Sequence, residues 1–379
     1  HRIEVLRPAQ PAFPQTAILV ISGGEPSTNA SSIGMALAGK IGCTVVTLYN
    51  EPNQPLFGGK TEDALVAYTF KQYLETHDPT WPLLLPMTKS AVRAMDATQA
   101  FLKQEFGSDI RNFVVTGASK RGWTTWLTGA VDPVRVSAIV PIVYDNLNIP
   151  AQIQHQIDTM GHTNAAIGDY TRLNLFTNAH TDPNMQNLIN LVDPWVYRSS
   201  LTMPKLIINA TNDPFWTIDS LNIYWDGLPA PKYVLYVPNA GHGLNSGDHS
   251  IAGIMQAANT MDAFARCVAS HQPLPPMQWS VRADQDTTWR MVIDAPQGVS
   301  ARLWVAQAAT RDFHQSHWTS LPLEREGNRF TGTIHLPQSG YTGIIGEVSL
   351  TSCGVTHDLS TQVFIFDQHG VVSPVPPVP

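Results

Sequence analysis

Ser119 stands in the segment NFVVTGASKRG (112–122), where an apolar run ends in Gly117 and Ala118 and WTTWLTGA opens a helix. A serine on so sharp a strand-to-helix turn is presented at the carboxyl edge of a sheet. The first helix amides then point toward the place where an oxyanion would develop. The turn departs from the G-x-S-x-G pattern, because Arg121 holds the position of the second glycine and closure falls to Gly122. Further along, KLIINATNDPFW sets Asp213 just beyond one strand, and YVLYVPNAGHGL sets His242 beyond the next. Serine, acid and histidine in that order, each at a strand end, suit a mechanism in which His242 removes the Ser119 proton and later protonates the leaving group. Asp213 would orient the imidazole and stabilise its protonated form. Asp145, after SAIVPIVY, is the alternative acid from an earlier strand. Charge developing on the attacked carbonyl oxygen would be met by the Lys120 amide and by a second amide at Gly24 or Glu25. The side chains of Lys120 and Arg121 either attract an acidic substrate or brace the elbow through ion pairs. Trp216, close to Asp213, is placed to form a substrate wall.

The elements that must position these residues form an alternating series. AILVISG (17–23), CTVVTLY (43–49), 112–116, 136–143, 205–210 and 232–237 read as short buried strands. Helical spacing covers 31–40, 61–76, 89–106 and 250–269. Alternation of this kind predicts an α/β architecture, with helices covering a largely parallel sheet. Residues 145–203 read as a helical insertion able to cap a pocket, and the hydrolase-like unit spans 1–272. After Pro273, Pro275 and Pro276 the pattern changes to short strands separated by turns at Gly298, Gly327-Asn328 and Gly340. This predicts a small β-sandwich over 277–369 and a Pro-rich tail over 370–379.

Of 379 residues, 43% are apolar and 14% charged, enough for a sizeable core. Lys plus Arg number 23 against 30 Asp plus Glu, a net charge of −7, which argues against a broad nucleic-acid surface. No apolar run approaches the roughly 20 residues of a transmembrane span. Three cysteines allow one disulfide and a free thiol or three thiols, leaving the redox compartment open. His155, His162 and His180 lack the spacing of a zinc site, and no dinucleotide or phosphate loop is present, so neither metal nor cofactor is expected.

The run VVTGASKRGWTTWLTGAVDPVRVSAIVPIVYDNLN resembles the PhoPQ-activated pathogenicity-related protein family, also called the PqaA family. NATNDPFW, VPNAGHGL and ARLWVAQAATRDF agree with it. The resemblance implies an α/β-hydrolase domain with Ser119, Asp213 and His242 as its triad, in secreted or periplasmic proteins linked to virulence. It also implies a region upstream of His1 that adds to the hydrolase sheet, making an upstream fragment of the same precursor a candidate partner. GASKRG is similar to the GCSRxG elbow of glucuronoyl esterases, with Lys120 in place of arginine. The substrate reading favours a peptide, with a carbohydrate or small-molecule ester as the alternative. A catalytically inactive binding or signalling protein on the same fold remains open, as does a polymer or cell-surface ligand on the C-terminal domain.

Overall fold

The computed structural model describes residues 1–26, 31–176, 179, 181–245, 250–285 and 287–373. His180 and residues 374–379 of the expected tail lie outside them. The chain begins with β1 (Arg2–Leu6), β2 (Thr16–Ile21), α1 (Ser32–Ile41), β3 (Thr44–Tyr49), α2 (Glu62–Thr76) and α3 (Leu84–Phe106). It continues through β4 (Asn112–Ala118), α4 (Lys120–Val131) and β5 (Val136–Ile142). The insertion follows as α5 (Ile149–Met160), α6 (Gly168–Thr171) and α7 (Pro183–Val192). Then β6 (Lys205–Ala210), β7 (Lys232–Val237) and α8 (Ala252–Ala269) complete the first unit.

Its seven strands run in the order β1-β3-β2-β4-β5-β6-β7; β1 is antiparallel to β3 and the remaining pairs are parallel. Successive side chains of a strand face opposite sides of a sheet, so a sheet covered on both faces needs nearly continuous apolar runs. In β4, Phe113 and Val115 pack into the core under α2, α3 and the insertion, while Val114 packs into the core on the other face. Ala17, Leu19 and Ile21 of β2 alternate with Ile18 in the same way. The helix expected over 89–106 begins earlier, at Leu84. Pro86 lies in its first turn, where the backbone N–H has no intrahelical acceptor, so proline there does not mark a break.

The distinct C-terminal domain is all β: β8 (Gln278–Gln285), β9 (Thr288–Asp294), β10 (Ser300–Ala308), β11 (Thr319–Pro322), β12 (Glu324–Glu326), β13 (Arg329–His335), β14 (Tyr341–Ser352), β15 (Val355–Asp367) and β16 (Gly370–Val371). A five-stranded sheet, β11-β10-β14-β15-β16, accompanies a four-stranded one, β12-β13-β9-β8. Sequence reading missed β11 and β12, whose residues are exposed apart from their neighbour Leu323 and so carry little apolar signal. The chain stays in the fold past 369: β16 pairs with β15, and buried Ser373 accepts a hydrogen bond from Asn222 Nδ2 at 2.7 Å. The start of the tail expected at 370 therefore belongs to the sheet.

Cys267 at the end of α8 is disulfide-bonded to Cys353 in the β14–β15 turn, and Cys43 is a buried free thiol. The bridge ties the two units across a sequence separation of 86 residues. Closing so long a loop restricts the unfolded chain. A Cys267→Ser/Cys353→Ser variant is expected to lose about 2–5 kcal/mol of stability, measured by denaturant unfolding against the oxidised parent. Among the described residues no helix is long and apolar enough to cross a membrane.

Candidate active site

Ser119 joins β4 to α4 with φ 58° and ψ −126°, a conformation that costs an ordinary L-residue about 1–3 kcal/mol and persists only when its surroundings hold it. Here its N–H donates to the Ile142 carbonyl at 2.9 Å, and its carbonyl accepts from Trp123 N at 3.0 Å. A Cβ on Gly117 would lie 2.7 Å from the Arg121 carbonyl oxygen, and one on Gly122 would lie 2.9 Å from Tyr144 Cβ. These two glycines permit the close packing of elbow on strand, and Gly122 takes the part expected of it. Arg121, in the usual glycine position, fits because Gly23 leaves room: a Cβ there would lie 1.8 Å from the guanidinium.

Both cationic side chains after the serine turn inward. Lys120 and Arg121 are buried. Glu62, at the start of α2, accepts from Lys120 Nζ at 2.7 Å and from both terminal nitrogens of Arg121 at 2.7 and 2.9 Å. Asp63 adds a contact to Lys120 Nζ at 3.3 Å. Burial disfavours the charged carboxylate, yet these donors hold Glu62 well below the usual carboxylate range. The two cations thus brace the elbow, and Arg121 does not face the cavity beside Ser119.

Arg121 Nε also donates to the Glu51 carbonyl at 2.7 Å. The Glu51 side chain is fully buried, and its carboxyl oxygens have no well-formed hydrogen bond among the described residues, Ser90 acting on them only as a weak donor. Burial pushes its carboxyl up to about 8, against the attraction of Arg121. Since an ordinary glutamate carboxyl titrates at 4.5, the folded chain keeps between pH 4.5 and about 8 a proton that the unfolded chain has released. Stability attributable to this group therefore falls as pH rises through that window. Glu51→Gln is expected to flatten the decline, by a few kcal/mol at its upper end, in thermal melts taken across pH.

The acid and histidine meet at the carboxyl ends of β6 and β7. Asp213 Oδ2 accepts from His242 Nδ1 at 2.7 Å, and its Oδ1 accepts from Phe215 N at 3.0 Å. Phe215 lies against the His242 ring at 4.3 Å between centroids. The two loops are tied by Asn212 N donating to the Ala240 carbonyl at 2.9 Å and Asn239 N donating to Thr211 Oγ1 at 2.8 Å. With Nδ1 donating to the carboxylate, Nε2 carries the lone pair of the neutral ring; it is buried and has no partner among the described residues. Asp145 shares a small recess with Asp213, but its carboxylate accepts from Tyr224 Oη, and burial pushes it up to about 7.

Ser119 opens into a cavity of about 40 Å³ between the sheet edge and the insertion. Its walls include Lys120, Trp123, Tyr144, Tyr170, Phe176 and Trp216. Trp216 lines this cavity, and its Nε1 donates to the Val143 carbonyl at 3.4 Å. Gly24 and Glu25 do not line the cavity: Gly24 N donates to Ser22 Oγ at 3.2 Å, and Glu25 Oε2 accepts from Asn50. The insertion is fastened down by Tyr170 Oη donating to Asp63 at 3.0 Å. Buried His155 binds Asp219 at 2.7 Å, and Asp219 in turn binds Arg311 at 3.2 Å.

Arg311 belongs to a loop of the C-terminal domain that reaches the acid turn. Asn212 Nδ2 donates to the carbonyls of His314 and Ser316 at 3.0 and 2.7 Å, and His314 Nε2 bonds the Trp216 carbonyl at 2.8 Å. Sequence reasoning missed this support, together with Glu62, Asp63, Tyr144 and Asn146. A pair of acids opening a helix was the one visible signal for the first two.

The parallel sheet with its helical layers, antiparallel β1 and strand–Ser119–helix elbow is the α/β-hydrolase fold. More particularly, the chain belongs to the family described as PhoPQ-activated pathogenicity-related protein, which matches residues 1–314. Autocrine proliferation repressor protein A of Dictyostelium discoideum is 38% identical over 288 residues, covering 72% of this chain and 56% of that protein. The chain thus spans about half the length of that relative. Among solved structures, acetyl xylan esterase 1 from Thermoanaerobacterium sp. JW/SL YS485 is similar at a TM-score of 0.46 and 16% identity, over 70% of this chain and 78% of that one. The acylaminoacyl peptidase of Pyrococcus horikoshii gives a TM-score of 0.46 and 16% identity over 68% and 38%.

Proposed function

We propose that this protein is a serine hydrolase that cleaves carboxylic esters with a short acyl group. The observation carrying the reading is the Asp213–His242 hydrogen bond, which leaves a basic Nε2 unpartnered at the same sheet edge as the strained Ser119 elbow. Nε2 accepts the Ser119 proton as Oγ attacks the ester carbonyl, and Asp213 stabilises the imidazolium that forms. The Lys120 amide, the first N–H of α4, donates to the oxyanion. The imidazolium then protonates the departing alcohol, and water, deprotonated by the same ring, releases the acid.

An ester suits the cavity better than a peptide. A site of about 40 Å³ walled largely by aromatic rings suits a short acyl chain. The peptidase expectation therefore yields to its esterase alternative. A panel of p-nitrophenyl esters and peptidyl p-nitroanilides tests the choice. Acetate and butanoate should exceed decanoate by about 10- to 100-fold in kcat/KM, a loss of a few kcal/mol of fit. Turnover of anilides faster than esters would refute the ester reading.

Export is part of the proposal, since a disulfide between two units suits an oxidising compartment. The name of the Dictyostelium relative favours a second reading, an extracellular growth-restraining protein. Growth restraint retained by Ser119→Ala would separate that role from hydrolysis.

A further inference from the structure

Two buried polar atoms beside Ser119, Tyr144 Oη and Asn146 Oδ1, have no well-formed hydrogen bond among the described residues, although the Asn146 side chain approaches the phenol and acts on it as a weak donor. Both residues line the Ser119 cavity, with 3% and 9% of their surface exposed. Buried polar groups in folded proteins are nearly always paired, so two orphans in one ligand-sized recess call for a ligand atom. The Tyr144 ring is fixed rather than free to turn away, stacked on Trp123 at 5.0 Å and 21° and met edge-on by Trp216 at 5.8 Å. Burial also pushes its phenol well above the ordinary value, so it stays a neutral O–H donor at any working pH.

The geometry points to a hydroxyl-reading subsite: Tyr144 and Asn146 bind a hydroxyl on the part of the ester seated in the cavity. This rests on the hydrolase reading and deepens it to esters of hydroxylated groups. A hydroxyl accepts from Tyr144 Oη and donates to Asn146 Oδ1 at once. A carboxylate would meet the Asn146 carbonyl oxygen without a proton to give. An ammonium would leave the phenol without an acceptor. The surrounding rings of Trp123, Phe176, Phe215 and Trp216 take the carbon skeleton.

Two matched pairs tell an acyl hydroxyl from one on the alcohol. They are p-nitrophenyl butanoate against 3-hydroxybutanoate, and propyl acetate against 2-hydroxypropyl acetate. In one pair the hydroxylated ester should have the higher kcat/KM by about 10- to 100-fold. Tyr144→Phe and Asn146→Leu should each bring that ratio toward one. A ratio near one in both pairs, with the plain esters turned over, overturns the subsite and leaves the hydrolase standing, its polar recess merely hydrated. Turnover-independent binding covers the remaining case. In Ser119→Ala, quenching of tryptophan fluorescence should report tighter binding of 3-hydroxybutanamide than of butanamide if the acyl side is read. For the alcohol side it should report tighter binding of 1,2-propanediol than of 1-propanol. Equal affinities in both comparisons overturn the proposal even if no ester is cleaved.

Discussion

Ser119→Ala is expected to lower kcat/KM for short esters by about 10³- to 10⁶-fold while leaving the fold intact. The range follows from how triads behave: removal of the nucleophile ends covalent catalysis, and only the oxyanion donors and substrate positioning remain. The substitution also relaxes nothing in the core, since the elbow is held by backbone bonds from Ser119 N to Ile142 and from Trp123 N to the Ser119 carbonyl. A thermal midpoint within a few degrees of the parent should accompany the loss. Asp213→Asn would follow a different pattern, keeping the serine but presenting the wrong imidazole tautomer to it. A Ser119→Ala protein that still hydrolyses esters at parental rate would remove Ser119 from the chemistry.

Glu62→Ala should be the most destabilising single change near the site. It strips the carboxylate from two buried cations, leaving Arg121 with the Glu51 carbonyl and Lys120 with Asp63. Breaking a buried pair by removing one partner costs about 3–5 kcal/mol. Because the Glu62 side chain is 42% exposed, about 2–4 kcal/mol is the fitting expectation. Activity should fall as well, since Lys120 and Arg121 form the first turn behind Ser119. Glu62→Gln, which keeps shape and some hydrogen bonding, should be milder in both measures. Equilibrium unfolding that finds Glu62→Ala as stable as the parent would mean the network carries no net energy.

Much of the hydrolase sheet was legible because β2 to β6 are largely buried on both faces and read as nearly unbroken apolar runs, unlike the edge strand β1. Asp213 and His242 were legible for a related reason: each follows such a run directly, in a turn rich in Gly, Asn or Pro. The bracing acids were not, because Glu62 meets Lys120 across 58 residues and nothing in local spacing links them. Asp145 drew attention as a carboxylate, yet its neighbours Tyr144 and Asn146 line the cavity. Alternation beyond β5 sends 144 and 146 one way and 145 the other, toward Tyr224 and the small recess it shares with Asp213. The loop around Arg311 and His314 was invisible for the same reason as Glu62. It reaches the acid turn from about 100 residues away, and only the packed structure brings the two together.

Reaction with a fluorophosphonate, read by intact mass and peptide mapping, tests the central claim most directly. An activated serine with an accessible oxyanion site should take up one equivalent, with the adduct on the peptide containing Ser119. No adduct under conditions that label a control serine hydrolase, or an adduct confined to another serine, would contradict the assignment of Ser119, His242 and Asp213 as the machinery of this protein.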